Sequence, residues 1–171
     1  MRLRLADRIG DGTFADIFSP SPGDRAYKVF RRIGDPALAD VAPHVFDAET
    51  AAYRIAVEHP RLRAHVPAYF GPITVAQVCD AQGTDVSDRY WLHLSYAMQR
   101  LARDPDERKV GSFFNSSEWH LMKPLVQVFE GAGIDHLGDA SVFYWKTDSP
   151  VLIDFATSDA AGDHARIIPR H

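Results

Sequence analysis

The stretch that decides the fold is IGDGTFADIF, Ile9–Phe18, followed at Ala26–Phe30 by AYKVF. Two glycines and a phenylalanine share one short turn, and a lysine then sits inside an apolar strand. Glycine gives up backbone entropy in a strand, and a lone lysine in an apolar run is costly to bury. Phosphate groups offset both, because glycine lets backbone N–H groups approach an anion and a half-buried ammonium needs a negative partner. Ala15 stands where a third glycine often sits, so the G-x-G-x-x-G form is incomplete. An ordinary glycine-containing hairpin gives the same residues, and Lys28 tips the balance toward phosphate. On a strand, Tyr27 and Val29 face one way and Lys28 the other, toward whatever lies under the loop.

Bulk composition narrows the setting. The chain has 171 residues, 46% of them hydrophobic, which is enough for one real core and one domain. A formal net charge of −4 gives no electrostatic case for nucleic acid or a membrane surface. Cys79 is the one cysteine, which excludes an intrachain disulfide and a thiolate metal cluster. The eight histidines show no metal-ligand spacing. MRLRLADRIG lacks the apolar run of a signal peptide, and no segment approaches the length of a membrane span. A cytoplasmic protein is the expectation. Export by a signal-less route and the oligomeric state leave no mark in the sequence.

Around the opening stretch, the pattern predicts a hairpin that begins with Leu3, Leu5 and Ile9 and turns through SPSPGD, Ser19–Asp24. Val45, Phe46, Glu49, Ala52, Tyr53 and Ala56 fall at helix spacing, in a helix ending near His59–Pro60. Two strands follow, Ile73–Val78 and Tyr90–Tyr96, around a polar loop. RDPDERK, Arg103–Lys109, reads as a charged surface connector. NSSE, Asn115–Glu118, has the form of a helix N-cap with its reciprocal glutamate. Trp119, Met122, Val126 and Phe129 line one face of the helix it opens, Gly131 and Gly133 end it, and Pro124 should kink or restart it. SVFYW and PVLIDFA, joined by KTDS, form a closing hairpin. Trp91, Trp119 and Trp145 fill core or hinge space. The order hairpin, helix, two strands, helix, hairpin is α+β.

The ordered set IGDGTFADIF, AYKVF, Glu49, a hydrophobic strand running into YAMQ, and PVLIDFA resembles the protein-kinase fold, in the form of the compact bacterial kinase-like proteins. The resemblance covers Leu5 to Ala156. It implies a single kinase-like domain over 1–171, with a β-rich amino-terminal lobe and hinge in 1–98 and a reduced carboxy-terminal lobe of helix plus hairpin in 99–171. It also implies ATP and Mg²⁺. Ile9, Gly10, Gly12, Phe14 and Ile17 would cover the nucleotide. Lys28 would contact its phosphates and pair with Glu49. Ser95–Met98 would be the hinge, with Tyr96 and Met98 beside the adenine, and Phe143 would be the floor beneath it. Asp154 would hold Mg²⁺.

The chain departs from that pattern in the catalytic loop. The family spacing puts the metal-binding asparagine at Ser141 and the catalytic aspartate at His136. The text is GIDHLGDAS, with Asp135 one residue early and Asp139 three late. Either is a candidate base, and Ser141 offers a hydroxyl to a metal. Ala156 replaces the glycine of D-F-G, and the short tail after it lacks an activation segment. Two functions are therefore expected of different classes. One is an ATP-dependent phosphotransferase acting on a partner or host protein. The other is a pseudokinase, a binding module for nucleotide or protein that has lost catalysis.

Overall fold

Five strands of the front half assemble into one antiparallel sheet. The computed structural model describes residues 1–34, 41–101, 108–109, 116–138, 140–144 and 149–157, with the backbone alone at 108–109, 116–118 and 144. The strands are β1 (Arg2–Arg4), β2 (Arg8–Asp11), β3 (Ala15–Phe18), β4 (Arg25–Arg31), β5 (Tyr69–Ile73), β6 (Gln77–Cys79), β7 (Tyr90–Gln99), β8 (Arg108–Lys109), β9 (Ser141–Tyr144) and β10 (Pro150–Ile153). The helices among the described residues are α1 (Val41–Glu58) and α2 (Ser116–Gly131). The architecture is mixed α+β with mostly antiparallel sheets. Neither helix is long and apolar enough to cross a membrane.

The chain divides into two compact units, Met1–Phe46 with Tyr69–Leu101, and Asp47–Ala68 with Ala102–His171. Residues 47–68 thus group with the back half of the chain, whereas the sequence pattern carries the front lobe without a break to residue 98.

In the first unit the sheet order is β2-β3-β4-β7-β5, and β1 pairs with β6 in a separate parallel ribbon. One sheet face packs a core of Leu3, Phe18, Val29, Val75, Val78, Val86 and Tyr90. Tyr27 packs against that core too, so Tyr27 and Val29 do share the face opposite Lys28. Two expectations change here. The predicted first strand splits, because Leu3 is drawn into the core through β1 while β2 starts again at Arg8. The strand expected over Ile73–Val78 also splits. Val75 N–H bonds Leu92 and Ala76 N–H bonds Met1, so the backbone changes partner there, from β7 to the N-terminus.

In the second unit β8-β9-β10 form a three-stranded sheet. Arg108–Lys109, read from sequence as connector, is its edge strand, and charged residues at an edge discourage pairing with other chains. β10 is covered on its far side by His65, whose carbonyl accepts Leu152 N–H at 2.8 Å and whose Nδ1 donates to Pro150 O at 2.9 Å. α2 runs unbroken through Pro124. Pro124 and His120, whose carbonyl loses its helical donor there, are both exposed, so water can take that carbonyl. The helix ends in a Schellman motif. Ile134 N–H bonds Phe129 O and Gly133 N–H bonds Glu130 O, with Gly133 at φ 84°. The core packs Tyr53 of α1 against Phe155 at 4.6 Å, and Phe155 against Phe129 of α2 at 5.3 Å. The N-cap residue Asn115, Trp145 and the KTDS turn up to Asp148 lie outside the described residues.

Candidate functional site

Strand register gathers the front-half candidates. Gly10 lies opposite Ile17, Ile17 opposite Lys28, Lys28 opposite Tyr96, and Met98 opposite Ala26. Residues two apart on a strand share a face, so Gly10, Ile17, Lys28, Tyr96 and Met98 occupy one side of the sheet. Lys28 is only 8% exposed, and its Nζ stands 5.6 Å from the Phe30 ring centroid. Phe30 meets Phe46 of α1 edge-on at 5.6 Å, and Tyr96 meets Tyr69 at 5.7 Å. Aromatic rings therefore line part of the sheet face that carries the ammonium. Phe14, expected as a lid, is half-buried.

The glycine hairpin has ordinary backbone geometry. A bulge between Arg8 and Gly10 pushes out Ile9, 46% exposed, and Gly12 N–H closes the turn onto Ala15 O at 2.9 Å. Neither Gly10 nor Gly12 has a φ in the left-handed region, and a Cβ on either meets nothing nearer than 3.8 Å. The chain itself does not require glycine at these positions. The space a side chain would take is left open.

The back-half candidates come together in the second unit. Ser141 pairs with Ile153, and His136 exchanges two backbone hydrogen bonds of 3.1 Å with Ala156. The GIDHLGDAS segment therefore runs beside LIDFA, with Asp135 next to one bridge and Asp154 next to the other pair. Asp154 takes φ 58°, a left-handed value uncommon outside glycine, though aspartate reaches it more readily than most residues. Its position is constrained on both sides, by the β10 ladder before it and by fully buried Phe155 after it. Asp135 is exposed, Ser141 is 1% exposed, and Phe143 is buried. Thr157 Oγ1 is buried with no hydrogen-bond partner. Asp139 lies outside the described residues. Glu49, on α1, is 6% exposed, so the helix turns it inward with Ala52, Tyr53 and Ala56.

ATP and Mg²⁺ are compatible with these donors. Mg²⁺ takes oxygen ligands and keeps several waters, so one carboxylate with phosphate oxygens suffices. Asp154 would supply the carboxylate and Ser141 a hydroxyl. No group of three His, Cys, Asp or Glu that could hold an ion by itself occurs among the described residues.

One cluster was missed in the sequence. Asp16, in the middle of ADIF, is 2% exposed and accepts the Tyr90 hydroxyl at 2.6 Å. Arg8 Nη1 approaches it at 3.4 Å and Arg31 Nη1 at 3.8 Å. Burial, and then the bond to Asp16, push the Tyr90 phenol well above its ordinary range. The argument applied to Lys28, a charge inside an apolar strand, applies equally to Asp16 and would have found it. No family model matches the chain, and no curated protein matches it in sequence.

Proposed function

We propose that the chain is an ATP-dependent phosphotransferase of the protein-kinase type, acting on a protein. The observation that carries the reading is Lys28, a nearly buried ammonium on the sheet face it shares with Gly10 and Ile17 of the glycine hairpin. Hydrophobic packing alone gives no reason to keep a charge there. In this reading Lys28 and the hairpin hold the phosphates, and Ile17, Tyr96 and Met98 lie against the base. Asp154 and Ser141 hold Mg²⁺, which neutralises the charge that develops on the transferred group. Asp135 orients the acceptor hydroxyl. Its exposure suits a base that must meet another protein, and the His136–Ala156 bridge ties its segment to that of Asp154.

Incubation with γ-labelled ATP and Mg²⁺, alone and with added protein acceptors, tests this directly. Label should enter protein, and both Lys28→Ala and Asp154→Ala should stop it. Asp135→Asn should slow transfer by at least about a hundredfold. Mg-ATP should also raise the melting temperature by mass action, and Lys28→Ala should remove that shift. A parent protein that Mg-ATP does not stabilise would sink the nucleotide reading. Stabilisation without transfer to any acceptor would leave a nucleotide-binding pseudokinase.

A further inference from the structure

We propose that Arg31 is a positioning residue that turns the amides of the glycine hairpin toward the Lys28 face, and that Asp16 and Tyr90 hold it in place to do so. This rests on the nucleotide reading above and names what shapes its phosphate site.

Three consecutive carbonyls of the hairpin tip meet Arg31. Arg31 Nη2 donates to Gly12 O and, at 3.1 Å, to Thr13 O, while the Arg31 backbone N–H donates to Phe14 O at 2.8 Å. One residue thus takes the carbonyls of the whole hairpin tip. In a trans peptide, the C=O of one residue and the N–H of the next point in opposite directions. Among the described residues the one cis bond is Ser21–Pro22, so the hairpin peptides are trans. Where the Arg31 side chain takes the carbonyls of Gly12 and Thr13, the N–H groups of Thr13 and Phe14 are turned away from it.

The direction follows from Asp16. Arg31 Nη1 stands 3.8 Å from the Asp16 carboxylate, and Asp16 lies opposite Val29, so the Arg31 side chain lies on the Asp16 and Val29 side of the sheet. Its carbonyl partners are drawn to that side, and the two amides face the side of Lys28. Two N–H groups and an ammonium on one face form a receptor for phosphate oxygens.

Arg31 also meets a buried acid. Its Nη1 stands 3.8 Å from the buried Asp16 carboxylate, which also accepts Tyr90 and meets Arg8. A guanidinium has a planar fork of donors and can serve two carbonyls and a carboxylate together. A lysine ammonium at the same place cannot span them. The simple alternative is that Arg31 itself swings to the phosphates, with Asp16 merely restraining it.

The two ideas give opposite signs for Asp16→Asn. That substitution removes a negative charge, so electrostatics alone, or release of Arg31 toward phosphate, would tighten Mg-ATP. Loss of the anchor should instead weaken Mg-ATP about tenfold and leave adenosine within about twofold. Calorimetric titration of the parent, Asp16→Asn, Tyr90→Phe and Arg31→Lys with Mg-ATP and with adenosine reads this out. Tyr90→Phe changes no charge and should shift the ATP-to-adenosine ratio the same way by less, so it carries the test if Asp16→Asn fails to fold. Amide resonances of Thr13 and Phe14 should move on adding Mg-ATP to the parent. Tighter or unchanged Mg-ATP binding in both Asp16→Asn and Tyr90→Phe overturns the proposal and leaves the nucleotide reading intact. So do unmoved Thr13 and Phe14 amides in a parent that binds Mg-ATP. A parent that binds no nucleotide overturns both.

Discussion

The hairpin at Gly10–Gly12 and the turn at Asp154 make opposite uses of the backbone. Gly10 and Gly12 take backbone angles outside the left-handed region, with room for a Cβ. Asp154 takes φ 58°, where glycine is the easiest fit. Two positions are glycine where the backbone leaves room for a side chain, and one is aspartate at a left-handed φ that glycine adopts at less cost. A residue that runs against its local backbone preference points to selection for something other than the fold. In the function proposed above, that demand would be space beside backbone N–H groups at the hairpin and a carboxylate at Asp154.

Asp154→Gly should have the largest effect. Glycine relaxes the left-handed turn, so stability measured by denaturant should stay within about 1 kcal/mol of the parent. Label transfer from ATP should nevertheless disappear, because the metal loses its carboxylate. Retained transfer in this variant would mean that the strained aspartate serves the fold alone.

Its neighbour should behave in the reverse manner. Phe155 is fully buried between Tyr53 and Phe129, so Phe155→Ala should cost about 3–5 kcal/mol through lost burial and the cavity left behind. Adjacent residues would then divide cleanly, one for chemistry and one for packing. A loss under about 1 kcal/mol in urea unfolding would deny Phe155 its anchoring role, and with it the source of the constraint on Asp154.

The buried cluster behind the hairpin supplies a smaller effect with a pH signature. Tyr90→Phe leaves the Asp16 carboxylate short of a donor and should cost about 1–3 kcal/mol. The folded protein raises the Tyr90 pKa above its ordinary value of 10.0. The phenol's contribution is thus complete below about pH 10 and is lost as pH rises from there through the folded value. The stability gap between parent and Tyr90→Phe should narrow over that alkaline window and stay constant from pH 6 to 9. A gap that is constant across the whole range would remove Tyr90 from the cluster's titration.

Strand alternation made the face of Lys28 legible, because the side chain of a strand residue follows from its position alone. Helix spacing likewise turned Glu49 inward together with its apolar neighbours. Pairing between distant segments was not legible. β1 sits beside β6 through residues far apart in the chain, and no local pattern in RLR announces a parallel partner. The edge strand Arg108–Lys109 was hidden by its charges, which suit an edge and read as a loop. At the site, the Lys28 argument located one buried charge and overlooked Asp16, which needed the same reasoning with the opposite sign. Arg31 was out of reach, since the role proposed for it depends on which way three carbonyls point, and sequence does not carry that.

The finest test compares glycines with one another. Gly133 closes α2 at φ 84°, so Gly133→Ala places a Cβ where L-residues are strained and should lower stability by about 1 kcal/mol. At Gly12 the φ lies outside the left-handed region, and the nearest atom to a new Cβ, Ala15 O, would be 3.8 Å away. Gly12→Ala should therefore leave stability unchanged or raise it by about 0.4–1 kcal/mol, because alanine restricts the unfolded chain. The same methyl group would stand beside the amides that the hairpin offers to phosphate, so Mg-ATP should bind more weakly while adenosine binds as before. Denaturant midpoints and calorimetric titration of the two variants separate the cases. If Gly12→Ala loses as much stability as Gly133→Ala, the hairpin glycines are there for the backbone after all, and the phosphate argument keeps only Lys28.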